Sequence, residues 1–344
     1  MRILVGMSGG LDSTYAALKL INEGHDVEGA VLVMHEYTET EAAERAASEI
    51  GIRLHTVDCR AAFDSAVKEY FVNEYLNART PNPCIVCNGE VKFKYLYEYA
   101  VENGFDAIAT GHYSKIVHIS DENGSRYAIS AAQDSKKDQS YMLWRLSQDI
   151  LSHLVLPLSE LEKNEIREKA ISLGLTSAKS RESQEICFIP DNDYASYIEN
   201  ERGIMPHGSF VLEDGTVIGE HNGIIRYTVG QRKGLGISLG ARAFVTDIDP
   251  VKNTITVARE PKKSTEFLVT DLVFSGLSRQ LAGTEMDLFV KLRYQAPRVP
   301  VRVIFSENNT LTARLFAPAS SVTPGQSAVF YDGDVVVFGG FIGK

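Results

Sequence analysis

The chain has 344 residues, 44% of them hydrophobic, and a formal net charge of −10 from 45 acidic and 35 basic residues. This length predicts two or three domains with packed cores, and the acidic balance argues against indiscriminate binding to nucleic acid. No apolar run approaches the roughly 18 residues of a membrane span, and no signal-peptide pattern opens the chain. We expect a cytoplasmic protein with no membrane partner, whose 4 cysteines are reduced, catalytic or metal-binding.

The first half of the chain alternates between strand and helix patterns. Residues 2–7 are apolar and predict a buried strand, and residues 12–24 have the apolar spacing of a helix. The alternation continues to a strand at 106–110 and a further helix within 159–174. This order predicts an α/β domain with a doubly wound parallel sheet, in which ligands bind beyond the carboxyl ends of the strands.

Two of the predicted helices carry a capping-box spacing at their start. Thr38 stands three residues before Glu41, and Ser159 stands three residues before Glu162. In such a box the hydroxyl and the carboxylate each accept a hydrogen bond from a backbone N–H of the first turn. We therefore expect Thr38 and Ser159 to cap their helices.

Past about residue 206 the helix-period patterns end and short alternating strands begin. Hairpin signals occur at 214–215, at 249–253 and at 332–333. The remainder is predicted to be all-β and to form two small units that divide near residue 268. The predicted domains are 1–205, 206–268 and 269–344.

The turn after the first strand has the composition of an anion-binding loop. Gly9 and Gly10 lie between Ser8 and Asp12, so the backbone can fold back and direct several N–H groups into one concavity at a helix N-terminus. A plain strand-to-helix turn with an N-cap is the alternative. The Walker P-loop is excluded because no Gly-Lys-Ser/Thr follows, and G-x-G-x-x-G is absent. Groups outside the loop must therefore neutralise a bound phosphate.

Three cysteines lie in two chemically suggestive segments. Cys84 and Cys87 form a C-x-x-C directly before a helix predicted at about 89–103, and Cys187 precedes Phe188 much later. Thiols at a helix N-terminus have lowered pKa values, which predicts thiolate chemistry. A lone C-x-x-C also fits a redox pair, half of a zinc site or part of an iron–sulfur site. The fourth cysteine ends a predicted strand and is interpreted as core.

These segments carry a family resemblance. The stretch from Ser8 to Ser13 resembles the pyrophosphate loop of the PP-loop ATPases, which adenylate a carbonyl or amide oxygen. Six further motifs extend the resemblance: TPNPCIVCN, ATGHY, KKDQSYMLWRL, SQEICFI, YTVGQRKGLGI and VTPGQSAVFYDG. Together they look like the bacterial tRNA-specific 2-thiouridylase family over essentially the whole chain. The resemblance implies a PP-loop, Rossmann-like first domain, a small β-rich central domain and a terminal β-barrel that contacts tRNA.

The resemblance implies an ATP site and two catalytic cysteines. Cys87 would be the nucleophile and Cys187 the persulfide-bearing residue, while Asp12 would hold a metal or orient the turn. ATP, with Mg²⁺, would lie on the loop, beside Met34 and Gly111. The loop residues of this site are Gly6, Met7, Ser8, Gly9, Gly10, Leu11, Asp12 and Ser13.

The resemblance also implies a surface for tRNA. Asn82, Pro83 and Cys84 would border the target base. The tRNA contacts would be His112, Lys137, Asp138, Gln139, Arg293, Tyr294 and Gln326. The last three lie in segment 291–326, whose charge predicts either a basic surface or a solvated face of strands. That segment has five basic residues, Lys291, Arg293, Arg298, Arg302 and Arg314, against Glu307.

The implied reaction is adenylation of the wobble uridine at its C2 oxygen, followed by attack of sulfur carried on Cys187 and departure of AMP. Cys87 would then release the sulfur and leave a disulfide with Cys187 for a reductant to reopen. A persulfide suits this step because its outer sulfur is strongly nucleophilic and its carrier thiol leaves readily. A cysteine desulfurase or a sulfur-relay protein would be the sulfur donor.

Three alternatives stay open from the sequence. Cys84 stands where the family often has aspartate, so Cys84, Cys87 and Cys187 could instead hold a [4Fe–4S] cluster that carries hydrosulfide. A different PP-loop ATP pyrophosphatase is a second alternative, and an ATP-binding, RNA-associated module without enzymatic activity is the third. Lys92 and Lys94 fit either a phosphate contact or a solvated helix face.

Overall fold

The computed structural model describes residues 1–121, 124–179, 186–237, 242–320 and 322–343. Its first domain alternates strands and helices, as predicted. In chain order the elements are β1 (Arg2–Gly6), α1 (Leu11–Asn22), β2 (Asp26–Val33), α2 (Thr40–Ile50), β3 (Leu54–Asp58), α3 (60–76), α4 (83–102), β4 (Ala107–Ala109), β5 (Lys115–Asp121), β6 (Gly124–Ser130), α5 (Gln148–His153), β7 (Leu154–Val155), α6 (Lys163–Ser172) and α7 (Tyr194–Arg202).

The core of this domain is a five-stranded sheet in the order β3-β2-β1-β4-β7, with every described pair parallel. Successive side chains of β1 point to opposite faces. Leu4 packs into the cluster that contains the residues of α3 and α4, while Ile3 and Val5 pack with those of α1 and α2. Helices therefore cover both faces, which confirms the predicted doubly wound sheet.

Helices α3 and α4 each contain a π-helical turn. Helix α3 joins Arg60–Phe63, the π turn Asp64–Lys68 and Glu69–Leu76. Helix α4 joins three segments in the same way: Pro83–Cys87, the π turn Asn88–Lys92 and Phe93–Glu102. The predicted start at about residue 89 is therefore wrong, because Pro83 begins the helix. A proline fits the first helical position, where its fixed φ suits the helix and no N–H is needed.

Both predicted capping boxes are wrong. The Thr38 hydroxyl accepts hydrogen bonds from the backbone N–H groups of Met34 and His35, and so closes the turn after β2, while α2 begins without a side-chain cap. Helix α6 begins at Lys163, later than Ser159 would require, and also has no side-chain cap. A short hydroxyl side chain bonds whichever backbone groups the local turn presents, so spacing alone does not decide its role.

The second half of the chain is all-β, as predicted. A four-stranded sheet has the order β10-β11-β8-β9, and six later strands form a barrel that closes because β12 pairs with both β15 and β17. The three predicted hairpin turns join β8 to β9, β10 to β11 and β16 to β17. The strands are β8 (Gly208–Val211), β9 (Val217–His221), β10 (Phe244–Asp249), β11 (Thr254–Ala258), β12 (Ser264–Phe274), β13 (Glu285–Lys291), β14 (Val299–Ser306), β15 (Thr310–Ala319), β16 (Ser327–Asp332) and β17 (Val335–Ile342).

The first domain and the barrel share a core. Trp144 is fully buried, and its indole N–H donates to the Ser327 hydroxyl at 3.0 Å. Gly339 approaches the same indole so closely that a Cβ there would lie 2.5 Å from the ring. In addition, Ser130 of β6 pairs with Val335 of β17, so the β5–β6 hairpin extends the barrel sheet. The domains therefore meet through packed and hydrogen-bonded surfaces.

A search of the described helices finds none with the length and apolar character needed to cross a membrane.

Candidate active site

The predicted nucleotide loop is the turn between β1 and α1. Gly9 has φ +74°, and a Cβ there would lie 2.4 Å from the backbone of Ala42, so only glycine fits. Gly10 is the N-cap of α1 and provides no side-chain cap, which leaves the first N–H groups of the helix for a ligand. Ser13, in the first turn of α1, bonds back to the loop: its hydroxyl accepts a hydrogen bond from the N–H of Ser8 at 3.2 Å. This geometry is compatible with the predicted anion nest, which stays a prediction.

Asp12 lies at the start of α1 and has two partners from distant parts of the chain. The Tyr113 hydroxyl donates to Asp12 Oδ1 at 2.7 Å, and the buried Lys163 ammonium forms an ion pair with the same carboxylate. Gly111 packs directly on the helix start, where a Cβ would lie 2.6 Å from the backbone of Asp12. The carboxyl end of β4 and the start of α6 therefore both meet the loop at Asp12.

Lys163 was not among the predicted site residues. The signal that could have revealed it is its position. Lys163 is the first residue of α6, where the positive end of the helix dipole makes a positive side chain unfavourable. A cation there needs an anion from elsewhere in the fold. The capping-box prediction placed the helix start before residue 163 and so concealed this conflict.

The cysteine segment lies at the start of α4 and faces the end of β2. Cys84 and Cys87 are inside the first turns of the helix rather than before it. The buried Cys87 thiol contacts Met34, with Sγ 3.6 Å from Sδ. Asn82 directs its amide towards Met142, with Nδ2 3.8 Å from Sδ. The structure therefore brings the predicted nucleophile beside Met34, a residue of the predicted ATP site.

Cys187 lies near Cys84 and Cys87, because a charge on Cys187 raises the pKa of Cys87 and a charge on Cys84 raises the pKa of Cys187. Its neighbour Phe188 is buried edge-on against Phe63 and Phe71 of α3, each with a ring separation of 5.5 Å. These contacts fix the chain on the carboxyl side of Cys187. Residues 183–185, which complete the SQEICF motif, lie outside the described part of the chain.

The expectation of lowered thiol pKa values is wrong. Burial raises the pKa of Cys87 to about 12, and desolvation also raises the pKa of Cys84 and Cys187, although both are accessible from one side. A negative charge on Cys84 or Cys187 would raise the pKa of Cys87 further. Enclosure by protein thus outweighs the favourable helix N-terminus, and all three groups rest as thiols at neutral pH.

Lys92 is a further residue of this site. It closes the π turn of α4, and its positive charge lowers the pKa of Cys84, Cys87 and Cys187 against the effect of burial. It lies near His112 as well, whose pKa burial lowers to about 3. Lys92 is half-buried, whereas Lys94 is exposed, as expected for a solvated helix face.

Four of the predicted tRNA contacts lie in two segments near the nucleotide loop, one after β4 and one after β6. His112 bonds the Thr110 hydroxyl at 2.9 Å. The Gln139 side-chain oxygen accepts from the N–H of Tyr113 at 2.9 Å. Asp138 is buried and its carboxylate accepts from Ser140 through both N–H and hydroxyl, at 3.1 and 2.8 Å. The fourth residue, Lys137, is half-buried in the turn before Asp138.

The other three predicted tRNA contacts lie where the domains meet. Gln326 donates from its amide to the backbone carbonyl of Thr80 at 2.7 Å, directly before the cysteine segment. Arg293 donates to the Thr323 hydroxyl at 2.6 Å. Tyr294 lies 6.1 Å from the buried Tyr141, measured between ring centroids. Of these three residues, Gln326 bonds directly to the chain that leads into the cysteine segment.

Most of the positive charge in segment 291–326 is neutralised by nearby carboxylates. Lys291 is half-buried over the ring of Tyr294, 5.5 Å from its centroid, and burial lowers its pKa. Three arginines form ion pairs: Arg298 with Asp334, Arg302 with Asp287, and Arg314 with Glu266. Three of the five basic residues are paired in this way, which favours a solvated face of strands over an unpaired basic surface.

Within the described ranges, no three histidine, cysteine or acidic side chains are grouped so that they could hold a metal ion. The three cysteines are neighbours but do not form a metal-binding cage. The arrangement thus does not fit the [4Fe–4S] alternative, and we assign no step to a cluster.

Comparison with known proteins decides the family. The chain is 40% identical over 361 residues to a protein of Clostridium acetobutylicum named tRNA-specific 2-thiouridylase MnmA, and the match covers 99% of each chain. The chain belongs to the MnmA family. A MnmA of Clostridioides difficile is 38% identical over 358 residues, which cover 100% of this chain and 98% of that one.

Domain families match the MnmA-family chain in three consecutive parts. The tRNA methyl transferase HUP domain matches residues 1–191, the tRNA methyl transferase PRC-barrel domain matches 195–259, and the aminomethyltransferase beta-barrel domain matches 264–342. These matches confirm the predicted fold class, a PP-loop domain followed by two β units that end in a barrel. A solved 4-thiouridine synthetase–RNA complex with bound ATP is 21% identical, covers 58% of this chain and 50% of that chain, and has a TM-score of 0.38.

Proposed function

We propose that the chain catalyses the ATP-dependent 2-thiolation of the wobble uridine in tRNA. The observation that carries this proposal is the contact between Cys87 and Met34, 3.6 Å from sulfur to sulfur, at the strand edge that also bears the anion nest. A thiolating enzyme must activate an oxygen with ATP and deliver sulfur to the same carbon. A nucleophilic thiol beside a nucleotide loop meets both needs, and the names of the relatives support the same assignment.

The first step is adenylation of the base. The C2 oxygen of the uridine attacks the α-phosphorus of ATP, a bond forms between them, and the bond to the bridging oxygen breaks. Pyrophosphate leaves with that electron pair. The nest of N–H groups at the start of α1 stabilises phosphate charge, and Mg²⁺ would arrive with ATP. Attachment of AMP converts a poor leaving group on C2 into a good one.

The second step transfers sulfur. The outer sulfur of a Cys187 persulfide attacks C2, and the C2–oxygen bond breaks with departure of AMP. Cys87 then attacks Cys187 Sγ and gives up its proton, which ends on the released base, so the electron pair of the bond between the two persulfide sulfurs goes to the transferred sulfur. The products are thiouridine and a Cys87–Cys187 disulfide, which a dithiol reductant reopens.

The tRNA would enter between the domains. In this proposal residues 1–205 perform the chemistry, residues 206–268 form the linking unit and residues 269–344 contact tRNA. An unstacked anticodon base would pass the junction and reach the segment from Asn82 to Cys84. His112, Asp138 and Gln139 would act there chiefly by holding the surrounding turns. A cysteine desulfurase or sulfur-relay protein would load Cys187.

Product analysis tests the proposal. The purified chain, unmodified tRNA, ATP and a persulfide donor should yield thiouridine together with pyrophosphate. Cys187→Ser should keep ATP binding and lose thiolation, whereas Cys59→Ala, at the buried cysteine that the proposed relay does not use, should retain both. Thiolation by Cys187→Ser would refute the persulfide role. A methylated nucleoside, or ATP binding without pyrophosphate release, would refute the proposed function.

A further inference from the structure

One motif of the central unit has no role in the proposed chemistry. The stretch YTVGQRKGLGI covers residues 227–237 and contains Arg232 next to Lys233, and Arg242 follows a few residues later. All three side chains are exposed. The chain as a whole has a net charge of −10, so a group of exposed cations is an exception to the overall charge. Such a group attracts an anionic partner to one part of the surface.

The three cations of this loop have no carboxylate partners. Within the described ranges of the chain, none of the three forms an ion pair. Arg226, in the same unit, by contrast bonds the carboxylate of Glu199 at 2.6 Å. Paired cations have most of their charge neutralised by a neighbour, whereas the charge of the loop is available to a ligand.

Gln231 shapes the loop from within. Its side-chain oxygen accepts a hydrogen bond from the N–H of Thr228 at 3.0 Å, and its amide donates to the carbonyl of Lys233 at 3.0 Å. Leu235 is buried in the core of the unit and anchors the chain two residues later. The loop is therefore held by its own side chains in a form that keeps Arg232 and Lys233 exposed.

The two arginines line the same cleft. Arg232 and Arg242 both border a cleft of about 470 Å³ that Gly234 and Gly236 also line. These glycines have φ values of +73° and +69°, and a Cβ at Gly236 would meet nothing within 4 Å. The backbone conformation, rather than close packing, thus favours glycine at Gly236. Backbone N–H groups in turns of this kind, placed beside guanidinium groups, are typical of phosphate-binding sites.

The loop begins where the three domains meet. The Thr228 hydroxyl lies 3.4 Å from that of Thr80, which leads into the cysteine segment. A Cβ at Gly230 would lie 3.7 Å from Nη2 of Arg293, one of the tRNA contacts that the resemblance implies. The exposed cations therefore continue the predicted tRNA surface from the barrel onto the central unit.

We propose that Arg232, Lys233 and Arg242 bind phosphate groups of the tRNA backbone while the target base reaches the cysteine segment. The inference rests on the proposed function, and it gives the central unit a part in substrate binding besides its linking role. A guanidinium group can hold a phosphate through two N–H groups, and lysine adds a compact charge. Phosphate contacts carry no base sequence, so this surface positions the tRNA rather than selects it.

The test is binding of unmodified tRNA to the full chain over a series of salt concentrations. The triple variant Arg232→Gln, Lys233→Gln and Arg242→Gln should bind tRNA about 10-fold more weakly, and the slope of log affinity against log salt should fall by about two. ATP affinity should be unchanged, because the phosphates concerned belong to tRNA. The double variant Arg232→Lys with Arg242→Lys keeps both charges and should keep most of the slope.

The matched control removes the same charge elsewhere. Arg45→Gln, Arg53→Gln and Lys169→Gln change three exposed residues of the first domain and should leave the salt slope in place. An unchanged slope in the loop variant, an equal loss in the control, or a loss of ATP affinity equal to that of tRNA would overturn the inference alone. Failure of the unmodified chain to bind tRNA would overturn the proposed function and this inference with it.

Discussion

Gln326 of the barrel donates a hydrogen bond to the carbonyl of Thr80, 246 residues earlier in the chain, with 2.7 Å between the nitrogen and the oxygen. Thr80 also donates its own N–H to Pro324 at 2.8 Å, and its hydroxyl lies 3.4 Å from that of Thr228 in the central unit. One residue therefore connects all three parts of the chain just before the cysteine segment. In the proposed function, this junction would hold the cysteines in register with the tRNA.

Gln326→Ala should lower the rate of thiolation more than it lowers stability. Loss of one hydrogen bond should reduce the free energy of unfolding by only about 1 kcal/mol. The Thr80 segment would lose an anchor, so the turnover rate should fall while ATP affinity is unchanged. Gln280→Ala, which removes a local hydrogen bond in the barrel at 2.8 Å, is the control. Equal rates for Gln326→Ala and Gln280→Ala would refute a role for the junction.

His112 should make the fold sensitive to mild acid. Burial lowers the pKa of His112 to about 3, whereas an unfolded histidine titrates near ~6.5. The unfolded state binds the proton first, so stability is lost as the pH falls from about 6.5 towards about 3. Between about pH 7.5 and 5.5, protonation of this residue in the unfolded state should lower the free energy of unfolding by about 1.4 kcal/mol. Denaturant titrations should show a smaller loss for His112→Gln, and identical losses would contradict the account.

Adjacent glycines of the loop should respond differently to alanine. At Gly9 the positive φ and the contact with the Ala42 backbone leave no room for a Cβ, so Gly9→Ala should destabilise the fold by about 2 kcal/mol or more. At Gly10 the nearest atom to a Cβ is the Ser8 hydroxyl at 3.3 Å, and φ is −79°. Gly10→Ala should therefore change thermal stability little, and the reverse order would disprove this loop geometry.

Lys92 should control the reactivity of the site thiols. Removal of its charge leaves burial less opposed, so Lys92→Met should raise the pKa of Cys187 and shift the pH profile of Cys187 alkylation upward. Lys94→Met removes an exposed lysine from the same helix and should leave the profile in place. Peptide mass spectrometry after timed alkylation reports each thiol separately, and equal profiles for the two variants would exclude this role.

The sequence predicted the parts of the fold that depend on local patterns. Alternating apolar strands and periodic helices indicate the parallel sheet, and Asp332-Gly333 marks a hairpin, because both signals come from neighbouring residues. The pairing of Ser130 with Val335 and the packing of Trp144 on Gly339 join segments about two hundred residues apart. Contacts between such distant segments produce no periodic pattern in the sequence, so the core shared by the first domain and the barrel could not be predicted.

In the site too, features set by neighbouring residues could be predicted, and features set by distant segments could not. The loop glycines and cysteines are readable because their chemistry requires particular residue types at short spacing. The raised pKa of Cys87 follows from enclosure by distant segments, which the helix N-terminus argument does not include. Lys163 was missed for the related reason that its partner Asp12 lies on another helix.

The most direct test is a thiolation assay on protein purified without oxygen, combined with iron and sulfide analysis. We predict that iron-free protein thiolates unmodified tRNA when given ATP and a persulfide donor, and that Cys187→Ser abolishes the product. Activity that requires a stoichiometric iron–sulfur cluster and disappears in Cys84→Ala would contradict the account, because the three cysteines would then act as cluster ligands rather than as a persulfide relay.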